Sequence, residues 1–295
     1  MTRVAVVGPG AIGAAAAAMA HRRGAAVMLC GRTPLERLVV EDGVAGGERA
    51  IVPGPVVTDP AMVPWRADVV LLAVKAHQTE GAGGFLRALC GPETVVCVLQ
   101  NGVEQRALVA PFAGGATVVP AVVWLATEVI EPGRVRTHSE PRFVLPAEPA
   151  AETIAALLDG AELADDFTAQ AWRKLAVNAV AGLMALTGQR AAMFRRPDIR
   201  ALAHALALET LAVARAEGVD LPDTVADELL AWMDDLPDDA GTSILADREA
   251  GRELEWDARN GVVARLGARH GVATPVSDVI VPLLAAASGP TNGGM

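Results

Sequence analysis

Apolar residues in the first half of the chain fall in short unbroken runs, whereas in the second half they recur at helical spacing. Arg3–Val7, Ala25–Cys30, Asp68–Val74 and Thr94–Leu99 are four such runs. A strand that is apolar throughout, not at alternate positions, is buried on both faces, as in a parallel sheet covered by helices. Further strands are expected at Ala116–Thr127, Gly133–Thr137 and Arg142–Leu145, completing the same sheet. Between the first two runs, Ala14–Arg23 predicts a helix that stops at Gly24, a residue suited to a left-handed cap. From about Asp165 onward the strand-like runs give way to helices. One carries Trp172–Asn178 with Trp172 and Leu175 turned inward, and a second spans Ala201–Glu217. A third is capped by Thr242 or Ser243 and runs through Arg248, and a last one carries Glu253–Asp257 and reaches His270. Residues Ser288–Met295 read as a frayed tail. The fold class is therefore α/β: a parallel-sheet N-terminal domain over residues 1–164, then an all-α domain over 165–295.

Composition narrows the class of partner. A length of 295 residues suits two domains. The formal net charge of −10 disfavours nucleic acid and anionic membrane surfaces, which attract basic faces. A content of 52% hydrophobic and 20% charged residues belongs to a folded protein with a large core. No apolar run reaches the roughly 18 residues that cross a bilayer. The start enters a strand with no cleavable signal pattern, and Cys30, Cys90 and Cys97 have neither disulfide nor zinc-ligand spacing. The expectation is a cytoplasmic, reduced protein without a metal.

The first strand leads directly into Gly8-Pro9-Gly10-Ala11-Ile12-Gly13, a G-x-G-x-x-G followed by a helix and a second strand within about 30 residues. That context is the dinucleotide-binding (Rossmann-type) one: a tight turn, close backbone approach to a pyrophosphate, and phosphate charge at a helix N-terminus. NAD-binding chains usually carry a carboxylate at the end of the second strand. Here Gly31-Arg32-Thr33 stands there, with no acid before Glu36. Arg32 can fork onto a 2′-phosphate, which favours NADP, or it can be a solvated surface cation. Lys75 and Asn101 follow the next two strands, at the sheet edge where ligands bind. In the helical half, Lys174 and Asn178 stand at i and i+4 on one face.

Taken in order, these segments resemble the ketopantoate reductase (2-dehydropantoate 2-reductase) family over essentially the whole chain. Besides the glycine loop and Lys75, the resemblance rests on Gln100-Asn101-Gly102, Trp172-Arg173-Lys174-Leu175-Ala176-Val177-Asn178, Thr242-Ser243 and Glu255-Trp256-Asp257-Ala258-Arg259-Asn260-Gly261. It implies NADPH-dependent reduction of a 2-keto acid, 2-dehydropantoate to pantoate, a step of pantothenate biosynthesis. It further implies Lys174 as proton donor, Asn178 and Ser243 as substrate contacts, and Glu255 as a contact to the cofactor ribose. Lys75, Asn101 and Arg32 would contact NADP, with Ala126 in a backbone contact to the nicotinamide. The family's lysine helix usually continues to a second asparagine four residues after Asn178, where this chain has Gly182. A third family asparagine has only Gln189 as a polar stand-in. Those departures leave a relative acting on another keto acid or carbonyl as the alternative, and a non-catalytic NADPH sensor as a further one. A homodimer is compatible with the apolar helical half.

Overall fold

A computed structural model describes residues 1–44 and 49–289. The chain forms two compact units, Met1–Phe167 and the residues from Thr168 onward. The first contains β1 (Arg3–Val7), α1 (Ala11–Arg22), β2 (Ala26–Cys30), β3 (Arg37–Asp42), β4 (Arg49–Pro53), β5 (Val69–Leu72), α2 (Thr79–Leu89), β6 (Val95–Val98), α3 (Gln105–Val109) and β7 (Thr117–Pro120). It continues with β8 (Val122–Trp124), β9 (Thr127–Glu131), β10 (Arg134–Thr137), β11 (Arg142–Pro146), α4 (Pro149–Ala155) and β12 (Ala161–Ala164).

The continuous apolar runs pair as a five-stranded, all-parallel sheet in the order β2-β1-β5-β6-β7. Beyond β2, a single parallel bridge from Cys30 to Val57 stands where a further strand would lie. Alternate residues of each strand feed two cores. Val4, Val6, Val69 and Leu71 face α1, while Ala5, Val7, Val70 and Leu72 face α2 with Phe85, Leu86 and Leu89. The chain leaves β1 for β2 on one side and for β5 on the other, so a crevice opens at the C-terminal end of β1.

The later strands do not complete this sheet. They form a four-stranded sheet, β4-β3-β10-β9, and a three-stranded one, β12-β11-β8. The physical reason is visible in β10, where Val135 and Thr137 are buried while Arg134 and Arg136 are partly exposed. That period-2 pattern belongs to a sheet with one wet face, not to a strand covered on both sides. Strands β3 and β4 were not anticipated, because Arg37, Glu41 and Asp42 in β3 and Arg49 in β4 keep their apolar runs to three residues each. Glu41 on β3 ties this sheet together, accepting from Arg134 (Nε at 2.8 Å), Arg136 (Nη2 at 2.8 Å) and Arg49 (Nη2 at 2.9 Å). These arginines hold its carboxyl down to about 2. Its stabilising effect is therefore present above the ordinary carboxylate value and is lost as pH falls through about 2.

Helix α1 packs against strands of both the five-stranded and the four-stranded sheet. It begins at Ala11, three residues earlier than the alanine run suggested, and Gly13 through Ala20 are all buried. Only methyl-sized residues, with Met19 the exception, allow a helix to be enclosed on two sides at this spacing.

The second unit is helical: α5 (Phe167–Thr187), α6 (Pro197–Ala216), α7 (Thr224–Asp234), α8 (Ser243–Glu249), α9 (Val262–His270) and α10 (Pro275–Ala287). Trp172 and Leu175 are buried, as their spacing required. The expected last helix through Glu253 starts later. Residues 252–255 lie in neither helix nor strand, and a π turn at Asp257–Gly261 precedes α9. The additional helix α10 opens on Pro275, whose fixed φ suits a first helical position. Its end is tied down, because Ser288 Oγ accepts the Leu254 N–H at 2.9 Å. Residues 290–295 of the expected tail lie outside the described residues. All three cysteines are free and buried.

Filling the α1 interface should be costly. Ala17 is fully enclosed, so Ala17→Leu is expected to lower the unfolding free energy by roughly 1–3 kcal/mol in urea titrations. An unchanged midpoint would show that α1 has room to move.

Candidate active site

The glycine loop, Arg32, Lys75 and Asn101 all lie at the C-terminal edge of the parallel sheet. Gly8 ends β1 with φ of +90°, and a Cβ there would stand 2.7 Å from Val74 Cγ1. A Cβ on Gly13 would come within 2.2 Å of the Gly8 carbonyl oxygen, so this glycine lets α1 begin directly against the loop. Gly10, the N-cap of α1, has no side-chain cap, and a Cβ built on it meets nothing within 4 Å. The Gly8 and Gly10 amides are used within the protein, donating to the Cys30 and Gly8 carbonyls, so it is the N-terminus of α1 that the loop leaves toward open space. That is the shape and polarity of a diphosphate cradle, so a dinucleotide fits the residues present.

Around this cradle, Arg32 is exposed just beyond β2, where Gly31 lets the chain approach Pro9. Lys75 is partly buried after β5 and caps a short 3-10 turn, Ala76–Gln78. Asn101 follows β6 at a turn made by Gly102, φ +114°. The preceding Gln100 is buried, and its Nε2 donates to Thr79 Oγ1 at 2.9 Å, fixing the end of β6 to the start of α2. Ala126 lies in the connection between β8 and β9. Its N–H donates to Ser139 Oγ at 2.9 Å, and its carbonyl accepts from His138 N–H at 2.8 Å.

The other expected residues meet within the helical unit. Lys174 and Asn178 project from α5, Ser243 opens α8 and Glu255 stands in the irregular segment before the π turn. What joins them is Arg259, a buried residue with no role among the sequence expectations. Its Nη2 donates to Ser243 Oγ at 2.8 Å, its Nη1 reaches Asn178 Oδ1 at 3.4 Å, and Glu255 Oε2 lies 3.7 Å from Nη2. Burial, and then the Arg259 charge, lower the Lys174 ammonium from its ordinary 10.5 to about 7. A lysine so placed exchanges protons at neutral pH. Burial pulls the Arg259 guanidinium down too, opposed by Glu255 and Asp247.

The neighbouring Asn260 explains Gly182. Asn260 is fully buried, and its Nδ2 donates to the Ala179 carbonyl at 3.0 Å. A Cβ on Gly182 would stand 2.8 Å from Asn260 Oδ1 and 3.2 Å from Leu284 Cδ1. The space that a side chain at 182 would need is already taken. Both Arg259 and Asn260 reach residues of α5 because the π turn is wider than an α turn, bringing consecutive side chains closer to one face. An i,i+4 acid–arginine pair, Glu255 and Arg259, was the one sequence signal for this cluster. Among the described residues, no group of three His, Cys, Asp or Glu could hold a metal ion, and no helix is long and apolar enough to cross a membrane.

A glycine-loop dinucleotide cradle on a doubly wound sheet, followed by a helical unit bearing a titratable lysine, is the plan of two-domain nicotinamide-dependent oxidoreductases. Within that class, the chain belongs to the ketopantoate reductase family: residues 4–149 match Ketopantoate reductase PanE/ApbA, and residues 166–288 match its C-terminal part. It is 52% identical to a 2-dehydropantoate 2-reductase of Mycobacterium tuberculosis over 97% of this chain and 98% of that one. The structure of a 2-dehydropantoate 2-reductase from Geobacter metallireducens superposes with a TM-score of 0.88 at 28% identity, covering 97% and 100% of the two chains. A dimeric ketopantoate reductase from Staphylococcus aureus does so with a TM-score of 0.85 at 26% identity, covering 97% and 98%.

Restoring the family's asparagine should therefore harm this chain. Gly182→Asn is expected to cost roughly 1–3 kcal/mol through overpacking against Asn260 and Leu284. Thermal unfolding checks this, and a gain in stability would show that Asn260 can vacate the space.

Proposed function

We propose that the chain reduces 2-dehydropantoate to pantoate with NADPH. The observation that carries this reading is the cluster of Lys174, Asn178, Ser243 and Glu255 around Arg259, with Lys174 poised near neutral pH. The name carried by a relative 52% identical over nearly the whole of both chains supports the substrate. On this reading, residues 1–164 form the NADP-binding domain and residues 165–295 the substrate and catalytic domain.

The Gly8–Gly13 loop would bind the pyrophosphate, Arg32 the 2′-phosphate, and Lys75 and Asn101 further parts of the cofactor. Ala126, whose N–H is taken by Ser139, would contribute only its carbonyl. Glu255 would reach a ribose hydroxyl. Bound NADPH supplies a hydride to the C2 carbonyl carbon of the keto acid. Lys174 then gives its proton to the oxygen that gains the negative charge, so the alkoxide never accumulates. Asn178 would orient that oxygen, and Ser243 the carboxylate. A homodimer in the cytoplasm is part of the proposal, supported by the dimeric Staphylococcus aureus neighbour. Gly182 favours one second reading, the same chemistry on a different 2-keto acid, because α5 offers no amide at the position where the family carries one.

Oxidation of NADPH, followed by absorbance with ketopantoate and a panel of 2-keto acids, tests the reading. Inertness toward all of them would overturn it, and preference for another acid would select the second one. Lys174→Ala is expected to lower kcat by about 10²–10⁴-fold with NADPH affinity retained. Since the ammonium is the active form, kcat/KM for reduction should be level below pH 7 and fall above it. A flat profile would remove Lys174 from the donor role. Arg32→Ala should weaken NADPH far more than NADH, and equal losses would contradict the 2′-phosphate contact.

A further inference from the structure

A guanidinium has five N–H donors and cannot shed its charge, so burying one without a close anion is costly. Arg259 is only 2% exposed and ranks among the largest enclosed side chains of the protein. Yet it is incompletely paired. Nη2 reaches a neutral hydroxyl, Nη1 a neutral amide oxygen at the long limit of a hydrogen bond, and the ion pair with Glu255 is a long one, Oε2 lying 3.7 Å from Nη2. Its buried Nε has no partner among the described residues. Elsewhere in the chain, even exposed arginines make shorter pairs, as Arg3 does with Asp68 at 2.8 Å.

Two further features surround this cation. Thr242 Oγ1, next to Ser243, is also buried without a partner. Lys174 adds a second positive charge close enough for the two to repel. Ser243 Oγ accepts from Arg259, which leaves its own O–H free to donate. The cluster therefore holds two cations and two hydroxyl donors, with Glu255 as the carboxylate nearest Arg259 and Asp247 as a further acidic neighbour. Asp247 also pairs with Arg252 Nε at 2.9 Å, so these two carboxylates serve three cations and the cluster is one anion short.

We propose that Arg259 is the substrate's carboxylate anchor, its guanidinium binding the 2-keto acid anion together with the Thr242 and Ser243 hydroxyls. This rests on the reading of the chain as a keto-acid reductase and adds what selects the acid. Charge at Arg259 replaces the neutral amide that Gly182 cannot supply. Discrimination would thus favour carboxylates over neutral carbonyl compounds of the same shape, because a buried cation left unpaired penalises the wrong ligand.

The test compares wild type with Arg259→Gln and Arg259→Lys at a pH below 7, where Lys174 stays protonated. Arg259→Gln is expected to raise KM for ketopantoate by about 10²–10³-fold while NADPH affinity is retained. Calorimetry should show pantoate binding weakened to the same degree, with binding of pantolactone, its uncharged ring-closed form, unchanged. Arg259→Lys keeps the charge but loses the fork, and should fold normally with KM raised at least about tenfold. Wild-type KM in either variant, or equal losses for pantoate and pantolactone, overturns the anchor while leaving the functional reading intact. A wild-type protein that reduces no keto acid overturns both, so the two failures are distinguishable.

Discussion

The N-terminal unit depends on how closely one helix can be approached. Helix α1 is enclosed between strands of two sheets, and from Gly13 to Ala20 nearly every side chain is hydrogen or methyl. This closeness lets the helix N-terminus arrive directly at the glycine loop, with Gly13 against the Gly8 carbonyl. The positions of the parallel sheet, the four-stranded sheet and the phosphate cradle are thus one constraint expressed three times. A larger residue anywhere along the buried helix would separate the layers and tilt the cradle together.

The helical unit is organised by buried charge, and two of its ions are treated in opposite ways. The Glu209 carboxylate is buried and satisfied by the start of α10, accepting from Val276 N–H at 2.6 Å, Ser277 N–H at 2.8 Å and Ser277 Oγ at 2.7 Å. Every donor it needs comes from a helix N-terminus, so its role ends in structure. Arg259 is more deeply buried but leaves Nε unmatched and holds Glu255 only in a long ion pair. A saturated ion holds a fold together. An unsaturated one retains affinity for something else.

How much of this was legible follows from the range of each signal. The strands buried on both faces, the glycine loop and the inward Trp172 and Leu175 are local patterns, and each could be read from a few adjacent residues. Sheet membership is not local. The β10 run looked like one more strand of the sheet, although its alternating arginines already marked a wet face. Helix α10 carried a local signal, Pro275 at its first position, that was passed over, whereas the π turn that separates Glu255 from α9 has no residue pattern of its own. Arg259 escaped notice because a charged residue in a sequence is presumed to face solvent, and only packing reveals otherwise. Gly182 looked like the loss of a binding group until Asn260 was found beside it.

The cysteines have a practical consequence. Burial pushes the Cys30 thiol up to about 12 and the Cys90 thiol to about 11, and it raises that of Cys97 as well. Since the thiolate is the reacting species, none of the three should take up maleimides or iodoacetamides while the protein is folded. A single cysteine introduced on an exposed helix would then be the sole site of attachment for a fluorophore or spin label in the otherwise natural sequence. Conversely, the appearance of thiol reactivity in the unaltered chain would report the opening of its parallel-sheet core, with no probe added at all.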